Sequence, residues 1–243
     1  MSNAVVEISG VTRNYQGLRP LRIARLVVAS GERVSIAGLD APASELLVNL
    51  ITGATLPDQG EVRVFGRRTA DIASADDWLA SLDRVGIVSD RAVMLEGSTL
   101  QQNLAMPFTL EIEPVPADTA ARVERVAAEC GIAVDWLPQR AADLPPEIRV
   151  RAHLARAVAF DPALLLVEHP TAGVAERARS ALAADMRRLA ESRGLTTIVI
   201  TNDDPFARGV TSKNFTLAGA TGELRERRRS WFRKVQKRFN RFR

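Results

Sequence analysis

The stretch "SIAGLDAPASELLVNLITG", residues 35–53, has the pattern of a buried strand, a tight loop and a helix. The apolar residues at 33–37 predict the strand. The run "LLVNLI" predicts the helix, with Gly53 as its C-terminal cap. Gly38 opens the loop between them. A glycine-opened loop between a strand and a helix is typical of sites that bind phosphate through backbone N–H groups.

Composition restricts the class of protein. The 243 residues, 46% of them hydrophobic, are enough for one large domain or two small ones. The single cysteine, Cys130, excludes an internal disulfide framework and fits a reducing compartment. No apolar run reaches the roughly 18–20 residues of a membrane span, and the N-terminus lacks the features of a signal peptide. His153 and His169 are far apart in sequence, so no metal site is expected.

The charge is divided unevenly along the chain. The net charge is +4, but the last 19 residues alone carry +9, which leaves −5 for residues 1–224. We therefore expect a mildly acidic globular body with a strongly basic tail. The predicted division is a domain over residues 1–222 and a tail over 223–243.

Strand and helix patterns alternate along the body. Short apolar or alternating runs at 4–8 and 22–29 are typical of strands. The region from about 93 to 142 has a helical and more polar pattern. Apolar strands and amphipathic helices then alternate up to residue 200. This order predicts an α/β fold with a mostly parallel core sheet.

Four segments together resemble the ATP-binding cassette (ABC) transporter ATPases over residues 4–222. They are the phosphate-type loop, "GEVRVFG", "STLQQNLAMPF" and "LARAVAFDPALLLVEHPTAG", in the family's order and spacing. The resemblance implies the P-loop NTPase-type fold of the ABC ATPases, with an antiparallel β portion near the N-terminus and a helical subdomain over about residues 93–155. The segment "NLAMPFTLEIEP" is most similar to ATPases that serve lipoprotein or lipid exporters.

The loop departs from the family's G-x-x-x-x-G-K-[ST] pattern, in which glycine backbone and lysine hold phosphates and the hydroxyl holds magnesium. Aligned over 38–45, only Gly38 is kept. Pro42 removes an N–H donor. Ser44 replaces the lysine, and Glu45 replaces the hydroxyl. We expect weak Mg-ATP binding or none, and we expect Glu45 to be a first-turn acid that complements the helix dipole rather than a metal ligand.

The other catalytic positions of the family also differ here. Glu168 occupies the place of the magnesium-linked aspartate, and His169 that of the glutamate that polarises the attacking water. Asp90 replaces the glutamine of the glutamine loop, and Asn202 replaces the switch histidine. Asp90 and Asn202 are interpreted as ordinary polar residues at strand ends, and His169 as a residue without a role.

The signature LSGGQ is replaced as well. Its equivalent is Leu144-Pro145-Pro146-Glu147-Ile148, in which two prolines and an acid weaken the donor field of a helix N-terminus. Only Tyr15 matches the aromatic residue that stacks on adenine in the family. A packing role for Tyr15 is the alternative.

These positions together predict a catalytically degenerate ABC-type subunit, a scaffold or regulator with little or no ATP hydrolysis. No cofactor is expected, although weak binding of ATP and Mg is left open. Expected partners are a second copy or an active ABC ATPase, and an integral membrane permease. The protein is expected in the cytoplasm, at the inner face of the membrane. Two alternatives remain: a slow ABC ATPase that exports a lipid, lipoprotein or small molecule, and a regulatory protein unconnected to transport.

The basic tail has apolar residues at helical spacing among its Arg and Lys residues: Trp231, Phe232, Val235, Phe239 and Phe242. Such a segment is typical of contact with an anionic membrane surface or a membrane protein. A disordered tail and a nucleic-acid contact are the alternatives, and nucleic acid is the less favoured partner.

Overall fold

A computed structural model of the protein describes residues 3–15 and 17–227. Its strands are β1 (Ala4–Arg13), β2 (Leu21–Ala29), β3 (Arg33–Ala37), β4 (Gln59–Val64), β5 (Arg67–Arg68), β6 (Val85–Val88), β7 (Leu164–Glu168), β8 (Thr196–Ile200), β9 (Lys213–Ala218) and β10 (Glu223–Glu226). Its α-helices are α1 (Ala41–Thr52), α2 (Ala75–Leu82), α3 (Leu100–Ala105), α4 (Ala117–Glu129), α5 (Pro146–Ala157), α6 (Glu176–Ser192) and α7 (Asp204–Val210). The predicted α/β architecture is confirmed.

The strands form two sheets. An antiparallel sheet has the order β2-β1-β4-β5, and a six-stranded sheet has the order β10-β9-β3-β8-β7-β6. In the larger sheet only β10 runs antiparallel to its neighbour. The carboxyl ends of β3, β8 and β7 therefore meet at one edge, which is where open α/β sheets build their sites.

Strand β7, second from one edge of the larger sheet, explains why the molecule has two apolar cores. Successive side chains of a strand point to opposite faces. Leu164 and Leu166 pack on the side of α1 and the antiparallel sheet. Leu165 and Val167 pack on the side of α5 and α6. Because both faces are covered, the strand is a continuous apolar run.

The predicted helical subdomain contains α3, α4 and α5, which pack around Val123, Ala127 and Ala152. Asn103, fully buried on α3, bonds both the N–H and the C=O of Leu95. This amide fixes the segment that leads from β6 into the subdomain.

The sheet extends past the predicted boundary at residue 222, since Glu223–Glu226 forms strand β10. The tail residues Trp231, Phe232, Val235, Phe239 and Phe242 lie outside the described residues. No helix in the ranges 3–15 and 17–227 combines the length and the apolar character needed to cross a bilayer.

Candidate functional site

The site begins at the turn after β3. Gly38 has φ 90°, and a Cβ atom there would lie 2.8 Å from the carbonyl oxygen of Leu217. Only glycine fits both conditions. The Gly38 N–H donates to Oδ1 of Asn202 at 2.8 Å. Asn202, exposed just after the end of β8, thus holds the backbone of the loop.

Helix α1 starts only three residues after Gly38, and its first donors are occupied or missing. Asp40 is the N-cap, and its carboxylate accepts from the Ala43 N–H at 2.9 Å. The Ser44 N–H donates to the Asp40 carbonyl at 2.9 Å, and Pro42 has no N–H. The carboxylate of Asp40 therefore lies where the helix dipole favours an anion.

The prediction for Glu45 is wrong. Because α1 begins at Ala41, Glu45 is its fifth residue, and the first turn of the helix contains no acidic side chain. Asp40, which the sequence analysis overlooked, complements the dipole instead. Its signal was present: an Asp two residues before Pro42 is typical of a helix start.

Ser44 and His169 are in direct contact. Ser44 Oγ lies 2.8 Å from His169 Nε2 and donates to the Asp40 carbonyl oxygen at 2.7 Å. Since the hydroxyl proton is used on Asp40, we assign the ring proton to Nε2, which donates to Ser44 Oγ. His169 has φ 41°, uncommon for a non-glycine residue, and its N–H donates to the carbonyl of Ile200 at 2.8 Å. His169 therefore has a structural partner.

Arg91 links the two glutamates of the site. Its Nη1 lies 2.7 Å from Oε1 of Glu45, and its Nη2 lies 2.5 Å from Oε2 of Glu168. The Glu168 side chain is only 5% exposed. Because two carboxylates share one guanidinium, Arg91, Glu45 and Glu168 together carry a formal net charge of −1. The sequence analysis missed Arg91, although it directly follows Asp90.

A cleft of about 490 Å³ lies beside this group. Its walls come from the loops after β6 and β7 and from α5, and they include Asp90, His153, Glu168 and His169. Burial lowers the pKa of His153, as do the charges of Arg156 and Arg149, whereas Asp90 opposes them. Across the described ranges, no three His, Cys, Asp or Glu side chains are grouped so as to hold a metal ion.

The signature equivalent, Leu144–Ile148, lies at the start of α5. Pro145 is the N-cap and makes no side-chain cap hydrogen bond, and Pro146 is the first helical residue. Ile148 N–H donates to the Pro145 carbonyl at 3.0 Å. Glu147 places a negative charge in the first turn. This helix end offers an incoming anion few donors and a repulsive carboxylate.

Tyr15 is half-buried against the core of the antiparallel sheet and covers Gly17. Burial, followed by the charge of Asp40, raises the pKa of the Tyr15 phenol. These contacts support the packing interpretation of Tyr15.

The chain is similar to curated ATP-binding proteins. It is 28% identical over 211 residues to the lipoprotein-releasing system ATP-binding protein LolD of Chromohalobacter salexigens, which covers 84% of this chain and 86% of that protein. It is 30% identical over 197 residues to the sulfate/thiosulfate import ATP-binding protein CysA of Gloeobacter violaceus, with 81% and 55% covered. For the methionine import ATP-binding protein MetN of Brucella abortus the identity is 28% over 222 residues, with 89% and 58% covered.

Solved structures share the fold. A dimeric post-hydrolysis state of the ATP-binding cassette MJ0796, bound to ADP and Pi, aligns with a TM-score of 0.74 at 23% identity. The alignment covers 92% of this chain and 98% of that one. CbiO1 of Clostridium perfringens, part of the cbiONQ transporter complex, aligns with a TM-score of 0.77 at 18% identity, covering 99% and 97%.

The sequence profile of the ABC transporter family matches residues 21–172, from β2 through the loop after β7. This range is more than half of the chain and contains Gly38, Ser44, Glu168 and His169. The protein therefore belongs to the ABC transporter family and has the fold of its ATP-binding domains.

Proposed function

We propose that this protein is an ABC transporter subunit that does not hydrolyse ATP and acts as a scaffold or regulator. The observation that carries the proposal is that hydrogen bonds within the protein occupy Ser44 in the phosphate-type loop. Ser44 is 1% exposed and is bonded to both Asp40 and His169. The residues that stand in the positions of the phosphate-binding lysine and the catalytic glutamate therefore contact each other.

The charges around the loop favour the same function. Asp40 and Glu45 place carboxylates at the start of α1, and Glu168 adds a third nearby. Two like unit charges about 4 Å apart repel by roughly 4 kcal/mol at an effective dielectric constant of 20. With no lysine at position 44, Arg91 is the cation that pairs with two of these carboxylates, Glu45 and Glu168. These side chains do not fit a magnesium-bound triphosphate.

An ABC ATPase that powers transport is the second candidate. The names of LolD, CysA and MetN support it, since each is an ATP-binding protein of a releasing or import system. The match to the family over 21–172 supports it as well. On this hypothesis the cleft would have another way to hold phosphate.

In either case we propose a membrane transporter as the place of action. A second copy of the chain or an active ABC ATPase would be its partner, together with a permease at the cytoplasmic face of the membrane. The basic aromatic segment from Trp231 to Phe242 would add contact with anionic lipid headgroups.

Calorimetric titration of the purified protein with Mg-ATP tests the proposal. We expect a Kd weaker than about 1 mM, equivalent to a binding free energy weaker than about −4 kcal/mol. A double variant, Ser44→Lys with Glu45→Ser, restores the lysine and the hydroxyl and is expected to bind more tightly than the wild type.

The matched control is Ser212→Lys with Glu226→Ser, which makes the same two changes at exposed positions away from the loop. We expect no gain of binding there. A micromolar Kd for the wild-type chain would overturn the proposed function and favour the ATPase.

A further inference from the structure

The segment between β6 and α3 makes polar contacts both with the core, at α1 and β7, and with the helical subdomain. On the core side, Arg91 pairs with Glu45 of α1 and Glu168 of β7. On the subdomain side, three side chains hold the next residues of the segment. Arg156 donates to the Val93 carbonyl at 2.7 Å, Asn103 bonds the Leu95 backbone, and both Nη atoms of Arg149 bond Glu96 at 2.8 Å.

Arg91 differs from the other residues of the segment because its side chain contacts the core. Among described residues 90–96, it makes the only side-chain hydrogen bonds or ion pairs to α1 and β7. In the pair with Glu168 the carboxylate is 5% exposed and the Arg91 side chain 42% exposed. Because only one partner is buried, solvent screens this pair less than one between two exposed side chains.

We propose that the Arg91 guanidinium is a built-in cation that fixes the segment 90–96 to α1 and β7 without a ligand. The guanidinium contacts both Glu45 and Glu168. Because it is part of the chain, it balances the charge of these carboxylates in the way that a bound cation would. Arg91 is a positioning residue, since it acts by holding the segment 90–96 in place. The inference rests on the proposed function, because a subunit that binds Mg-ATP only weakly would keep Arg91 paired with both glutamates.

Apolar packing is the competing explanation. Met94, in the same segment, is 5% exposed and packs in the core with Val167 and Leu165. If Met94 alone held the segment, removal of the Arg91 charge would leave its mobility unchanged. The two explanations therefore predict different amide hydrogen exchange.

Hydrogen exchange on the full chain, read by mass spectrometry, separates them. In Arg91→Met, which keeps the aliphatic stem, we expect peptides spanning 89–97 to exchange at least about tenfold faster than in the wild type. The amides of Ala92 and Leu95, bonded to Ser89 and Asn103, are the reporters. Arg91→Lys keeps the charge but has no planar fork to reach both carboxylates, so an intermediate rate is expected.

Arg67→Met is the matched control. Arg67 pairs with Asp77 at 2.6 Å and is 47% exposed, close to the 42% of Arg91. It lies on β5, away from the segment, so we expect wild-type exchange in peptides 89–97. Exchange that is unchanged in Arg91→Met, or that accelerates equally over the whole chain, would overturn the proposal.

Manganese binding, followed by electron paramagnetic resonance, provides a second readout. Without the guanidinium, Glu45 and Glu168 lose the cation that both contact, and Arg91→Met is expected to bind Mn²⁺ with a Kd on the order of 1 mM. The wild-type chain is expected to bind more weakly. Equal Mn²⁺ binding by both chains would show that Arg91 does not take the place of a cation.

The two proposals can fail separately. Tight Mg-ATP binding by the wild type would overturn the non-hydrolytic function and leave the exchange result of Arg91→Met untouched. Unchanged exchange in Arg91→Met would overturn the role of Arg91 and leave the nucleotide titration untouched.

Discussion

Ser44 Oγ and His169 Nε2 lie 2.8 Å apart, although 125 residues separate them along the chain. The contact joins the start of α1 to the loop after β7, and its serine is almost fully buried. By resemblance to the ABC ATPases, these two residues stand in the positions of the phosphate-binding lysine and the catalytic glutamate. The same two residues that mark the site as unusual therefore stabilise its folded form.

Ser44→Ala is expected to destabilise the protein. The change leaves His169 Nε2–H without its partner, while the Asp40 carbonyl keeps the bond from the backbone N–H of residue 44. An unpaired polar group costs about 1–3 kcal/mol when it is buried. Urea unfolding at pH 7.5 measures the loss. Ser212→Ala is the control, because the exposed Ser212 Oγ donates to the Arg33 carbonyl at 3.1 Å. Equal losses in the two variants would contradict a special role for the Ser44 contact.

Gly38→Ala and Gly66→Ala separate backbone strain from steric clash. Both glycines have positive φ, 90° and 82°, but only Gly38 has a backbone atom close to the added Cβ. We expect Gly66→Ala to lose about 1–2 kcal/mol from the left-handed conformation alone. Gly38→Ala should lose more, or fail to fold, because Leu217 must also move. Thermal unfolding of both variants checks this, and equal losses would show that the clash is relieved easily.

The stability of the protein is expected to depend on the protonation of His153. Its pKa in the folded chain is below the ordinary value of 6.5, so the folded state binds this proton more weakly than the unfolded state. Protonation therefore favours unfolding, and the free energy of unfolding falls as the pH drops below about 6.5. His153→Met removes this contribution.

Urea unfolding at several pH values between 5 and 7.5 is the measurement. We expect a smaller loss of stability toward low pH in His153→Met than in the wild type. If both chains lose stability equally across this range, other groups must carry the dependence.

The basic tail is expected to bind anionic vesicles. Residues 228–243 contain eight Arg or Lys and no acidic residue. Each basic side chain near an anionic surface contributes about 1 kcal/mol, and salt screens the attraction. Co-sedimentation with vesicles of neutral lipid, or of neutral and anionic lipid, should show binding to the anionic vesicles alone.

Aromatic insertion can be tested without a change of charge. Changing Trp231, Phe239 and Phe242 to Ser is expected to weaken vesicle binding, because the apolar side chains no longer enter the interface. Unchanged binding would indicate a purely electrostatic contact. Preferential binding to duplex DNA over anionic vesicles would instead support the nucleic-acid alternative.

Local sequence determined most of the elements and their ends. The predicted strand at 33–37 is β3, and Gly53 caps α1 with φ 74°, as its position after the apolar run indicated. The alternation of strands and helices indicated the parallel sheet, and the motif order indicated the family. These features depend on neighbours within a few residues, so periodicity and capping residues reveal them.

Tertiary structure alone decided how the site residues are partnered. Strand β3 lies beside β8, and β8 lies beside β7, so residues distant in sequence meet at one sheet edge. This order brings His169 to Ser44, and the loop after β6 brings Arg91 between Glu45 and Glu168. Sequence could identify Ser44 and Glu45 as departures from a motif. It could not identify their partners, because strand order and loop path set the distances between side chains that are not neighbours in the chain.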